Sequence, residues 1–265
     1  MNTTGECATV GVDLSTDVRR TGLCTLAWKD RRARVLHLAG AATDAQVAQA
    51  AAGAAHVAID VPFGWPGPWA DAVAAHRPGL PFTAQGTPAE LTRRFTDAWV
   101  TRRTGLYPLP VAANLIGATA IRGARLLHQL QRPVDYGLSD EPGSVSEVYP
   151  AAALKCWGQA FQQYKGTIWR AARERLIEAL CAAGLPVVLD ASDRLRLAAS
   201  DDALDSLLCA VLARAIQLGL TEDAPVSARE RVRREGWIRL PLAGSTIDLV
   251  QPPAAAASGA GNCCG

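Results

Sequence analysis

Ala8–Leu14 (ATVGVDL) and Val57–Val61 (VAIDV) decide the fold. Each is a short apolar run with an acid one residue before its end. Runs of this length, bounded by turn residues, read as buried strands. Between them lie Thr21–Trp28 (TGLCTLAW) and Ala33–Leu38 (ARVLHL), read as strands two and three, joined through Lys29–Arg32. Thr43–Ala55 has apolar positions at helical spacing and a cap at Thr43 or Asp44. The order is therefore β-β-β-α-β. A helical crossover makes the fourth strand parallel to the first. Asp13 and Asp60 then emerge side by side at two neighbouring strand ends.

Beyond Pro62 the chain is rich in Pro and Gly as far as Pro88. Helices are expected over Ala89–Arg103, Asn114–Gln131, Ile168–Ala183 and Ser200–Leu218. Val145–Tyr149 reads as a fifth strand ending at Pro150, and Val187–Asp190 as a short strand or an extended linker. Gly236–Leu240 and Thr246–Val250 suggest a terminal hairpin. The expected organisation is one α/β domain over residues 1–251, with a mostly helical insertion at 62–145. An Ala/Gly-rich tail at 252–265 is expected to be disordered.

Composition excludes several classes. Hydrophobic residues are 49% and charged residues 20% of the 265-residue chain, so general disorder is ruled out. No run approaches the roughly 18 apolar residues of a membrane span. Met1–Val10 has neither a basic start nor a long apolar run, so a cytoplasmic protein without a signal peptide is expected. Seven Cys without a C-x-x-C pair argue against a disulfide framework and against a zinc site. The 24 Arg against 3 Lys read as a GC-rich bacterial coding bias. Leu91–Val134 holds seven Arg and one acid, Asp97. Such a stretch is either a phosphate-binding patch, with Arg94, Arg102 and Arg103 as contacts, or a solvated face.

The acids carry the chemistry. Asp60 stands in an apolar strand that needs no carboxylate, and Asp205 lies one turn into an apolar helix behind Asp202. Burying such groups unpaired is costly. Carboxylates gathered without a neighbouring base suit a hard divalent cation, Mg2+ or Mn2+. Two such ions clamp a phosphodiester and activate water. Asp201 and Asp202 also have an ordinary explanation, as acids favoured at a helix N-terminus. Arg94 and Asp97, three apart, are read first as an intrahelical ion pair.

The order of strands, with acids on the first strand, the fourth strand and the last helix, resembles the ribonuclease H-like superfamily, and within it the Holliday-junction resolvase branch. More closely, GVDLS (11–15), AIDVPFG (58–64), RRFTD (93–97), EVYPAAAL (147–154), YKG (164–166) and DDALDSLLCA (201–210) resemble the DUF429 family, described as predicted nucleases. The resemblance implies a mixed five-stranded sheet flanked by helices, with the insertion between strands four and five. It makes Asp13, Asp60, Asp202 and Asp205 the metal ligands, with Glu147 a further ligand or a supporting acid. Lys165, Tyr164 and Arg170 would meet phosphate or pair with the acids. It implies a metal-dependent nuclease acting on nucleic acid, and a possible homodimer. A kinase- or ATPase-like phosphotransferase, a small-phosphoester hydrolase and a non-catalytic binding module are the competing classes.

Overall fold

The computed structural model describes residues 7–29, 31–111 and 116–249. Eight strands, β1 (Cys7–Asp13), β2 (Gly22–Lys29), β3 (Arg32–Ala39), β4 (His56–Asp60), β5 (Val134–Asp135), β6 (Val145–Val148), β7 (Val187–Val188) and β8 (Ile238–Arg239), form one mixed sheet. Its order is β5-β6-β4-β1-β2-β3-β7, and β8 pairs with β6. The helices are α1 (Asp44–Ala52), α2 (Gly67–Ala75), α3 (Pro88–Thr92), α4 (Phe95–Thr104), α5 (Gly117–Leu130), α6 (Pro150–Cys156), α7 (Arg170–Ala182), α8 (Ala191–Ala199), α9 (Asp201–Gln217) and α10 (Arg229–Glu235).

Strands β1, β2 and β3 form an antiparallel meander, and β4 lies parallel to β1. Alternation splits the core into two layers. Val10 and Val12 of β1 and Ile59 of β4 pack with Val47 and Ala51 of α1 and Leu126 of α5. On the other face, Cys24 and Leu26 of β2 and Ala58 of β4 pack with the apolar residues of α9, supported by α6, α7 and α8.

Helix α9 sits directly on sheet backbone. A Cβ at Gly11 would meet the Ala210 nitrogen at 2.1 Å, and one at Gly22 would meet the Asp202 carbonyl oxygen at 1.9 Å. Thr9 Oγ1 ties the two layers by donating to the Ala210 carbonyl at 2.8 Å, while Trp28 Nε1 donates to Thr9 Oγ1 at 2.8 Å. Ser200 caps α9 through the Ala203 amide.

The expected five strands become eight, because three two-residue strands extend the sheet. Ile238–Arg239 is not half of a terminal hairpin. It pairs parallel with Glu147–Val148, and Ile247–Leu249 is a short 3-10 turn. The helix expected over Ala89–Arg103 is broken into α3 and α4 at Arg93 and Arg94, both extended. Arg94 leaves the helical path because its side chain is drawn into a buried ion cluster. Val187–Asp190 serves as both strand and cap, since Asp190 opens α8 with a capping box. Helices α2, α6, α8 and α10 had no sequence signal strong enough to place them. The tail at 252–265 and residues 114–115 of the expected Asn114–Gln131 helix lie outside the described residues. Among the described residues, no helix is long and apolar enough to cross a membrane.

Candidate metal centre

Sheet register brings the first two acids together. Asp13 and Asp60 are Cα partners at the carboxyl ends of the parallel pair β1 and β4. Partners in adjacent strands share a face, and alternation from Gly11 and Ala58 puts both on the side of α9. The helix, seated on glycine, delivers Asp205 from above. One carboxylate oxygen from each of Asp13, Asp60 and Asp205 lies within 4.8 Å of the others.

Asp205 is fully buried. Its Oδ1 accepts from the Tyr164 hydroxyl at 2.9 Å. The Lys165 ammonium lies 2.6 Å from its Oδ2, but outside hydrogen-bonding geometry, and Oδ2 has no hydrogen-bond partner. Burial, and then the charges of Asp205 and Asp60, push the Asp13 carboxyl well above its usual range. Burial pushes Asp60 up to about 7, against the opposing charge of Lys165. Partial desolvation opposes the Lys165 charge, but Asp205, Tyr164, Asp60 and Asp13 outweigh it and hold the ammonium protonated. Three carboxylates thus share one cation.

The Tyr164–Gly166 loop that carries Lys165 is itself clamped. Buried Arg173 donates to the carbonyls of Tyr164 at 2.7 Å, Gly166 at 2.8 Å and Ala198 at 2.9 Å. The Gly166 amide donates to Asp201 Oδ2 at 2.9 Å. Sequence reasoning missed Arg173 among 24 arginines. The signal that could have found it is its spacing, three, four and seven residues before Leu176, Ile177 and Leu180 on the buried face of α7.

The remaining acids stand apart from this group. Asp202, one turn before Asp205, lies over β2 and receives Arg20 Nε at 2.9 Å and Nη2 at 3.2 Å. Glu147 is the Cα partner of Ile59, so it takes the opposite face of the sheet from Asp60. There Arg94 donates to both Glu147 oxygens, at 2.9 and 2.8 Å, and to both Asp97 oxygens, at 3.1 and 2.8 Å. The Phe63 amide also donates to Glu147 Oε2, at 3.0 Å. The expected Arg94–Asp97 ion pair is therefore a buried three-membered cluster, 1–2% exposed throughout. Burial raises the Glu147 carboxyl while Arg94 opposes it.

The arginines named as phosphate contacts are engaged elsewhere. Arg102 lies over the Phe95 and Trp99 rings, Arg103 pairs with Glu222, and Arg170 pairs with Glu174 at 3.1 Å on its own helix.

The donor set suits a hard divalent cation. It consists of carboxylate oxygens with no thiolate or imidazole, and it includes a buried oxygen that lacks a hydrogen bond. Asp13, Asp60 and Asp205 would hold such an ion.

The family model described as "Protein of unknown function (DUF429)" matches residues 11–230, which spans the site from Asp13 to Asp205. The chain belongs to the DUF429 family. No curated protein and no solved structure matches it. In this DUF429 chain all of the resemblance motifs quoted above fall within the matched span, and they fall on three structural roles. GVDLS, AIDVPFG and DDALDSLLCA supply the three acids. RRFTD and EVYPAAAL supply the Arg94, Asp97 and Glu147 cluster. YKG supplies the lysine loop.

Proposed function

We propose that this protein is a divalent-metal-dependent phosphodiesterase acting on nucleic acid. The observation that carries this reading is the convergence of Asp13, Asp60 and Asp205, with a buried Asp205 oxygen that accepts no hydrogen bond and has the Lys165 ammonium beside it. When bound, Mg2+ or Mn2+ supplies Lewis-acid charge to the phosphate and acidifies water. The three carboxylates hold the ion. Tyr164 fixes the Asp205 carboxylate by its hydrogen bond to Oδ1 and leaves Oδ2 with the Lys165 ammonium. Lys165 places a second positive charge beside the ion site. With Asp202 held by Arg20, three acids and a lysine favour one ion per chain in place of the two expected from four acids. The Lys165 ammonium takes up the phosphate charge that a second ion would otherwise meet.

The test is hydrolysis of bis(p-nitrophenyl) phosphate and of single- and double-stranded nucleic acid by the wild type and by Asp60→Asn. Activity that requires Mg2+ or Mn2+ and disappears in the variant supports the reading. Equal activity in the presence of a chelator overturns it.

A further inference from the structure

The acid cluster opens into a cavity of about 560 Å³. Its lining is charged at Asp13, Asp60 and Lys165 and at the paired Arg94 and Glu147, and apolar or aromatic at Leu109, Tyr149 and Phe161. This size and this mixture belong to small-molecule pockets, in which a few polar groups orient a ligand held by apolar contact. A duplex is held differently, by many cations reaching its outer phosphates at once. The segment 91–134 presents few such cations. Of its seven arginines, Arg94, Arg103, Arg122 and Arg132 are bound to oxygen atoms of the protein itself, Arg93 and Arg102 lie over aromatic rings, and Arg125 stands exposed.

We propose that the cavity takes a single nucleotide unit. Its phosphate meets Lys165 beside the three acids that would hold the ion, and its base lies against Leu109, Tyr149 and Phe161. The assignment rests on the phosphodiesterase reading above and names its substrate class. A flat base presents a π-face to aromatic and aliphatic walls whatever its sequence. The exposed amides of Gln162 and Gln163 line the same cavity and offer donors and acceptors to a base edge. A free mononucleotide and the unpaired end of a strand present the same unit.

Equilibrium binding with Mn2+ present tests this, using adenosine 5′-monophosphate, ribose 5-phosphate, a short 5′-phosphorylated single strand and a blunt duplex. The mononucleotide is expected to bind about tenfold or more tighter than ribose 5-phosphate, as base stacking requires. Phe161→Ala and Leu109→Ala should each reduce that preference and leave Mn2+ binding unchanged. Leu109 is 55% exposed, so its variant keeps the test available if Phe161→Ala fails to fold. Tighter binding of the single strand than of the mononucleotide assigns the unit to a strand end, and equal binding assigns it to a free nucleotide. Either result supports the proposal. No preference for the mononucleotide over ribose 5-phosphate overturns it, as does a duplex that binds as tightly as the single strand. Failure to bind Mn2+ defeats the metal reading alone. The comparison of mononucleotide and ribose 5-phosphate is then made without metal, with Lys165 as the cation that meets the phosphate, and its outcome decides the cavity.

Discussion

Two buried acid clusters lie on opposite faces of the same strand ends, and they are built on opposite terms. Around Arg94, two carboxylates share a guanidinium that donates to all four of their oxygens. Around Lys165, three carboxylates share one half-exposed ammonium, and one buried oxygen has no hydrogen bond. A closed cluster of the first kind holds structure. Its members are satisfied by one another. The second kind is short of positive charge and of donors, which is the condition under which a site binds a cation. Two acids in an apolar strand look alike in sequence. The partner decides which of them is free to do chemistry.

The largest expected effect comes from opening the closed cluster. Arg94→Met leaves Glu147 and Asp97 buried without their cation and should destabilise the fold by about 3–5 kcal/mol. Urea unfolding measures it. A loss below about 1 kcal/mol would mean that the two clusters do not differ as described.

Next is the opposite change in the open cluster. Asp60→Asn relieves repulsion among three carboxylates and should raise metal-free stability by about 0.5–2 kcal/mol, while abolishing stabilisation by Mg2+. Melting temperatures of both proteins, with and without Mg2+, check it. A variant that Mg2+ stabilises as much as the wild type would remove Asp60 from the metal site.

The open cluster also predicts a pH dependence. Asp60 titrates near 7 in the fold against an ordinary 3.8. Its raised value favours the protonated folded state, so metal-free stability should fall as pH rises between about 4 and 7. Mg2+ binding needs the ionised carboxylate, so the Mg2+-induced rise in melting temperature should grow over the same window. A Mg2+ effect independent of pH from 5 to 8 would contradict this.

Lys165→Met separates the two duties of the lysine. Mn2+ affinity should rise several-fold as a competing charge leaves, while mononucleotide affinity falls. Calorimetric titration reads both, and a loss of Mn2+ affinity would show that the lysine supports the ion.

The smallest effect is expected at the rim. The Arg20 guanidinium is 58% exposed, so Arg20→Ala should cost less than about 1 kcal/mol. It should leave one Mn2+ per chain by electron paramagnetic resonance. A second bound ion would show that freed Asp202 completes a two-ion site.

These contrasts mark how far the sequence could be read. Asp13 and Asp60 were legible because an acid in an apolar strand is locally anomalous, and the helical crossover implied parallel neighbours. Asp205 was legible from its apolar helix face. Glu147 was a candidate on the same grounds, but its face depends on pairing with Ile59, a register that no local pattern states. The partner of Asp202 is 182 residues away, so its neutralisation was invisible. Strand β8 was read as a hairpin because its true partner, β6, lies some ninety positions earlier. Two-residue strands carry no periodicity at all.

The seat of α9 on Gly11 has a consequence of its own. Because a Cβ there would lie 2.1 Å from the helix backbone, the gap between sheet and helix has no slack. Gly11→Ala would act as a shim one methyl thick. It would lift Asp205 off Asp13 and Asp60 and widen the jaw that the proposed ion would occupy. The acids would all be intact, and the instrument would be out of adjustment.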